Sequence, residues 1–179
     1  NITAKSITVS GITASSKTYD GSTSCTLDGS SVLYNGLISG DTFTGSYTGA
    51  FSNTNVATGK TVTITSSYTG ADVSNYTVTD QSSTTADISA KALTATASAS
   101  NKTYDGSTTA STTLTFTGLV GSETLGQTVG STFDNKNVGS NKTVTVNSIT
   151  LADGSGLAAN YSISAGQTTT ANITAKSLT

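Results

Sequence analysis

Lys60-Thr61-Val62-Thr63-Ile64-Thr65 and Lys142-Thr143-Val144-Thr145-Val146-Asn147 are two versions of one pattern. Apolar and polar residues alternate with period two, which sets Val62 with Ile64, and Val144 with Val146, on one face of an extended chain. β-Branched Thr suits the opposite, solvated face. Such alternation marks a half-buried antiparallel strand. Tyr76 and Val78, like Tyr161 and Ile163, also fall two apart. No segment carries a sustained helical period. Turn pairs at Asp20-Gly21, Asn35-Gly36, Asp105-Gly106 and Asp153-Gly154 break the runs, as in a sandwich of short strands.

Working outward, the whole neighbourhood repeats. Lys17-Thr18-Tyr19-Asp20-Gly21-Ser22-Thr23 returns as Lys102-Thr103-Tyr104-Asp105-Gly106-Ser107-Thr108, 85 positions on (102 − 17). Phe51 and Asn55-Val56 return as Phe133 and Asn137-Val138, and Asn75-Tyr76 as Asn160-Tyr161. Gly40-Asp41-Thr42 returns only as Gly121-Ser122-Glu123-Thr124, so a role for Asp41 is not expected to carry over. Length differences between the copies fall in Gly/Ser-rich stretches, where loops accept insertion.

A third block sets the boundaries. Ile2-Thr3-Ala4-Lys5-Ser6-Ile7-Thr8 recurs at Ile88–Thr94 and at Ile173–Thr179. The chain therefore divides into a first module over 1–88, a second over 89–173, and the start of a further repeat over 174–179. Within Ile88–Ala95 the apolar positions run on Ile88 and Ala90, then jump to Leu93 and Ala95. Such a parity change turns the inward face over. The expectation is one extended segment that closes one module and opens the next, giving a semi-rigid array.

The Lys-x-Tyr-Asp-Gly-x-Thr block, the Asn-Val block ahead of Lys-x-Val, Asn-Tyr, and the closing Ile-Thr-Ala-Lys resemble the YDG-type and MBG-type repeats of large bacterial surface adhesins. The resemblance covers essentially the whole chain, twice. It implies an extracellular or bacterial cell-surface setting and a place in an adhesin stalk. Neighbouring repeats of the same chain are the partners it implies.

Composition restricts the chemistry. Hydrophobic residues make up 34% and charged residues 10%, against a globular norm of about a quarter charged. There is no His, and Arg is absent. A Ser–His–Asp or Cys–His arrangement is thus excluded, and an enzyme is not expected. With net charge -2 and no basic stripe, nucleic acid is not an expected partner. No apolar run reaches the roughly 18 residues of a membrane helix, so membrane insertion is not expected either.

The candidate site residues are those of the repeated block. Tyr19, Asp20 and Gly21, with Tyr104, Asp105 and Gly106, read as a structural turn in which Asp caps local amides and Gly takes positive φ. The alternative is a Ca²⁺ contact, but a calcium loop gathers several oxygen-bearing side chains, and no such cluster accompanies these. No cofactor is therefore expected. Cys25 stands where the second copy has Ala110. It is either a free thiol or an intermolecular one. Lys60 and Lys142, with Asn55 and Asn137 close in sequence, raise the further reading of a Lys–Asn isopeptide link, against that of a surface lysine beside a turn. The sequons at Asn75, Asn101, Asn141 and Asn160 follow from a chain rich in Thr, Ser and Asn.

The expected fold is all-β: two tandem antiparallel β-sandwich modules, Ig-like in size, in a rod-like array. A β-grasp-like module is the alternative. Expected core residues are Val56, Val62, Ile64, Tyr76, Val78 and Ile88, and Val138, Val144, Val146, Tyr161, Ile163 and Ile173. The expected function is a structural stalk or spacer of an extracellular adhesin or fibre. Its alternatives are a module binding surface glycans or matrix, and a fibre subunit that pairs with other copies through strand edges.

Overall fold

A computed structural model of the chain describes residues 1–178. Thr179, the last residue of the third boundary block, lies outside the described residues. Two compact units divide the chain, Asn1–Ser89 and Ala90–Thr179.

In the first unit the strands are β1 (Lys5–Ser10), β2 (Thr13–Ala14), β3 (Lys17–Thr18), β4 (Ser24–Cys25) and β5 (Leu27–Asp28). They continue as β6 (Leu33–Asn35), β7 (Thr44–Phe51), β8 (Ala57–Thr69), β9 (Tyr76–Thr79) and β10 (Ser83–Ser89). One sheet runs β6-β1-β9, a second runs β3-β10-β8-β7-β4, and β2 pairs with β5. The alternating Lys60–Thr65 stretch lies within β8. It is the central strand of the larger sheet, flanked by β7 and β10, both antiparallel to it.

The second unit has β11 (Lys91–Ala92), β12 (Thr94–Ala99), β13 (Lys102–Thr103), β14 (Thr109–Ala110) and β15 (Thr112–Thr117). After these come β16 (Leu125–Phe133), β17 (Gly139–Asp153), β18 (Tyr161–Ser162) and β19 (Thr168–Thr174). Its larger sheet, β13-β19-β17-β16-β14, repeats the order of the first. The opposing layer is split into β12-β15 and β11-β18. Among the described residues the only helical pieces are two 3-10 turns, Val73–Asn75 and Ala158–Asn160. No helix of the kind a β-grasp unit needs is present among them.

The pairing is not antiparallel throughout. β1 with β9, β3 with β10, β11 with β18, and β13 with β19 are parallel. Each unit brings an early and a late segment side by side, running the same way, at a sheet margin. Residue alternation is the same in both kinds of strand, so it could not distinguish them.

The core lies between the two layers. Val9 of β1 packs with Ile64 of β8 and Ile12, while Ile7 packs with Phe43 and Tyr76. In the second unit Phe133, Val144, Ala171 and Ile173 form one cluster with Ala110. Val62, Ile64, Tyr76, Ile88, Val144, Val146, Tyr161 and Ile173 are buried, whereas Val56, Val78 and Ile163 are half-buried. Val138 is corrected outright, being 55% exposed. It lies in the loop between β16 and β17, beyond the strand whose parity would have turned it inward. The boundary segments supply core that the alternating stretch did not reveal, namely Ile7 and Val9 on β1, Ile12 between β1 and β2, and Leu93 between β11 and β12.

The first unit carries an aromatic group that the second lacks. Phe43 meets Tyr34, Tyr68 and Tyr76 with ring centres 5.1, 5.1 and 5.8 Å away. Tyr34 and Tyr47 share a 2.8 Å hydrogen bond between hydroxyls. By strand register, Phe116, Val129 and Leu151 take the places of Tyr34, Tyr47 and Tyr68 in the second unit.

Gly70 closes the β8 end of this region with φ +136°, and a Cβ there would stand 2.1 Å from the Thr42 carbonyl oxygen. Both backbone and neighbour are fixed, so Gly70→Ala is expected to destabilise the first unit by about 2 kcal/mol or more. Urea unfolding followed by tyrosine fluorescence checks this. A change below about 0.5 kcal/mol would show that the loop moves aside.

Candidate functional site

The repeated block forms the same closed loop twice. β3 places Lys17 so that its ammonium donates to Asp20 Oδ1 (2.8 Å), the Ser22 carbonyl (2.8 Å) and Ser22 Oγ (3.0 Å). The Ser22 N–H donates to the same Asp20 oxygen at 2.8 Å, which is an Asx turn. Gly21 takes φ 77°, a region open to Gly at no steric cost. The ammonium lies 5.6 Å from the centre of the Phe51 ring.

On β13 Lys102 repeats each contact, to Asp105 Oδ1 at 2.9 Å, Ser107 O at 2.8 Å and Ser107 Oγ at 3.1 Å. It adds a bond to Thr109 O at 3.0 Å. Gly106 has φ 81°, and the Phe133 ring centre is 5.5 Å from the ammonium. The lysine is therefore an internal cation around which the loop's oxygens gather. The hydrogen bond from lysine, followed by the serine N–H, holds the carboxyls of Asp20 and Asp105 down at about 2. Tyr19 is buried and Tyr104 packs on the core cluster. Their backbone N–H groups donate to Ser89 O (2.9 Å) and Thr174 O (2.8 Å), extending the parallel pairings by one bond.

A second constellation was not expected from the sequence. Tyr76 donates its hydroxyl proton to Asp41 Oδ2 at 2.6 Å and accepts the Ile38 N–H at 3.1 Å. Tyr161 does the same with Glu123 Oε2 (2.6 Å) and the Val120 N–H (2.9 Å). The role of Asp41 thus carries over after all, to a residue one position displaced with a side chain one methylene longer. Glu123 is the chain's single glutamate, and its repeated neighbour Thr124 was the available signal. Each 3-10 turn ends immediately before the tyrosine and positions it for this bond.

Comparison with known proteins agrees with this duplication. The family model described as YDG domain matches residues 3–86 and, a second time, residues 89–171. The chain belongs to the YDG domain family. No curated protein and no solved structure matches it.

Other singled-out residues of the YDG units fall into place by geometry. Lys60 is only 8% exposed and donates to Asn53 Oδ1 at 2.7 Å, as Lys142 donates to Asn135 Oδ1 at the same distance. The lysine partners are thus Asn53 and Asn135, two positions before the asparagines that sequence proximity had suggested. Asp134 Oδ1 also sits 2.8 Å from Lys142. The hydrogen bond from Lys142 holds the Asp134 carboxyl below its usual range. Lys60 has Ser52 in the place of that acid. Cys25 is half-buried on β4, burial pushes its thiol upward, and its sulfur lies 3.6 Å from the Thr26 carbonyl oxygen. Among the described residues no three acidic, His or Cys side chains gather as metal ligands do.

The aromatic group gives the first YDG unit a pH response of its own. Burial, then the bond with Tyr34, pushes the Tyr47 phenol well up, and burial with the Asp80 carboxylate pushes Tyr68 to about 12. Tyr76 is raised chiefly by its bond to Asp41, a bond that Tyr161 matches with Glu123, so the difference between the units rests on Tyr47 and Tyr68. The unfolded phenols ionise near about 10. A raised folded value means that stability is complete below pH ~10 and falls between ~10 and ~12. Alkaline titration followed by tyrosine absorbance, with residue-resolved hydrogen exchange, is expected to show Asn1–Ser89 loosening before Ala90–Thr179. Simultaneous loosening would contradict the assignment.

Proposed function

We propose that this chain is a structural spacer, a stalk segment of an extracellular bacterial adhesin or surface fibre, which acts without catalysis or a bound cofactor. The observation that carries the reading is where the repeated side chains are used. Lys17 with Asp20, Lys102 with Asp105, Tyr76 with Asp41 and Tyr161 with Glu123 are paired inside their own units. What recurs along the chain is machinery for holding a small unit together. Length supports the same reading, since Ala90 alone separates β10 from β11, too little chain for a flexible linker. The principal partners on this reading are neighbouring repeats of the same protein.

The test is dimensional. Chains carrying two, four and six of these repeats, measured by small-angle X-ray scattering, are expected to show a maximum dimension that rises in proportion to repeat number. Growth with the square root of repeat number, the behaviour of flexibly joined units, would overturn the proposal. So would specific glycan capture by a single repeat.

A further inference from the structure

The two units differ at one sheet margin. In the first, the side of β1 facing away from β6 is taken by β9, in parallel register from Lys5↔Tyr76 to Thr8↔Thr79. Further along, Gln81 clamps Ile12, donating from Nε2 to its carbonyl (2.7 Å) and accepting its N–H at Oε1 (3.0 Å). In the second unit the corresponding pairing stops at Ala92↔Ser162, with one more bond from the Leu93 N–H to Ser162 O at 2.8 Å. The chain then turns away to β17, where Gly166 N–H donates to Val146 O and Val146 N–H to Gln167 O, both at 2.9 Å. A groove of about 530 Å³ opens between Ala92–Ala95 and Ser162–Gln167.

The backbone of β12 is oriented to use that space. Leu93 directs its N–H to Ser162, while Ser100 directs its own to Ser111, on the β15 side. Lateral backbone groups alternate along a strand. Ala95 and Ala97 therefore turn N–H and C=O away from β15, and among the described residues neither finds a backbone partner on that side. Across the groove Gly166 occupies the register place of Gln81, so that clamp is missing, and Gln167 follows in the place of Ser82. Its Nε2 is held by Ser164 O at 2.8 Å, but Oε1 is buried without a hydrogen-bond partner among the described residues. The groove lining carries no charged side chain.

We propose that this groove receives one extended strand of another polypeptide, uncharged, with an apolar side chain at every second position and Thr or Ser between. The first unit displays the form of such an occupant, because Val78-Thr79 lies there beside Ile7 and Thr8, the counterparts of Leu93 and Thr94, where the second unit's Ile163 and Ser164 make no such pairing. The incoming strand pairs with Ala95 and Ala97, lays its apolar side chains over Leu93 and Ala95, and brings an N–H to Gln167 Oε1. Main-chain bonds supply affinity, and the alternating pockets supply selection. A charged side chain would lose its water in this lining without gaining a partner.

Hydrogen exchange on the full chain tests it, with the capped pentapeptide Asn-Tyr-Thr-Val-Thr (residues 75–79) as probe. In the dilute free chain, the amides of Ala95 and Ala97 are expected to exchange about 100-fold or more faster than that of Thr96, which faces β15. Peptide at about 1 mM, the affinity range of so small a contact, is expected to slow them at least about tenfold. Resonances of 92–97 and 163–167 shift with it, and a peptide carrying Val78→Pro has no effect. Ala97→Pro in the chain removes the outward N–H but no bond to β15 and weakens capture about tenfold. Should that variant not fold, exchange on the unaltered chain still decides. Protection that rises with chain concentration alone supports the proposal and identifies a second copy as the strand donor. Slow exchange at Ala95 and Ala97 in the dilute chain without peptide would mean that the groove closes on its own Ile163–Ala165. That result, or no response to the peptide, overturns the proposal.

Discussion

Phe133→Ala is expected to remove about 3–5 kcal/mol from the second unit. Its ring is 3% exposed, lies among Val144, Ala171, Ile173 and Ala110, and forms the floor under Lys102. Two losses combine in this one change. The first is the transfer and cavity term of a buried aromatic ring. The second is the cation–π contact, about 0.5–1 kcal/mol at a site of this kind. Small domains hold only about 5–15 kcal/mol in all, so much of Ala90–Thr179 would be near its unfolding threshold. In thermal melts followed by circular dichroism, the transition of that unit is expected to fall by about 15 °C or more. Val138→Ala is the control, because its side chain is 55% exposed and the change is expected to stay within about 0.5 kcal/mol. Equal effects at the two positions would contradict the core described above.

Lys102→Met is expected to be the next most damaging change, at about 1–3 kcal/mol. The side chain is 18% exposed, and its ammonium serves Asp105, Ser107 and Thr109 together. Methionine keeps an unbranched stem over Phe133 while leaving those acceptors without their donor. The signature that separates this role from simple packing is in the acid limb. Asp105 is held at about 2 in the folded chain, against the usual 3.8 of an aspartate. A lowered folded pKa gives stability that is complete above pH ~4 and disappears as pH falls through ~2. The acid transition of the parent chain should therefore contain this contribution, and that of the variant should lack most of it. Lys17→Met is expected to act alike on Asp20 in the first unit. An unchanged acid limb in both variants would show that the lysines act only by packing.

How much was legible in the sequence depended on the range of the interaction. Period-two alternation in Lys60–Thr65 and Lys142–Asn147 requires only neighbouring residues, and it identified the central strands and the buried Val62, Ile64, Val144 and Val146 on them. The Asp-Gly turns were equally local. The partners of Lys60, Lys142, Tyr76 and Tyr161 were not. Tyr76 and Asp41 are 35 positions apart, and the displacement of Glu123 by one residue concealed the equivalence until the 3-10 turn brought Tyr161 to it. Lys60 reaches Asn53 because β8 turns its side chain back over the loop that precedes it. Proximity in sequence favoured Asn55 and could not weigh that direction.

By itself, the sequence determined that this chain is a duplicated, all-β YDG protein with its boundaries near the Ile-Thr-Ala-Lys blocks. Repetition and alternation are carried by residue identity, so they needed no coordinates. Only the tertiary structure decided which strands run parallel, which acid meets which tyrosine, and that Val138 faces out. It alone separated the two margins, closed by β9 and Gln81 in one unit and open beside β12 in the other. What differs is a segment of chain that zips onto β1 in one case and turns to β17 in the other, and Gly166 there stands in the register place of Gln81, the residue whose side-chain amide clamps Ile12.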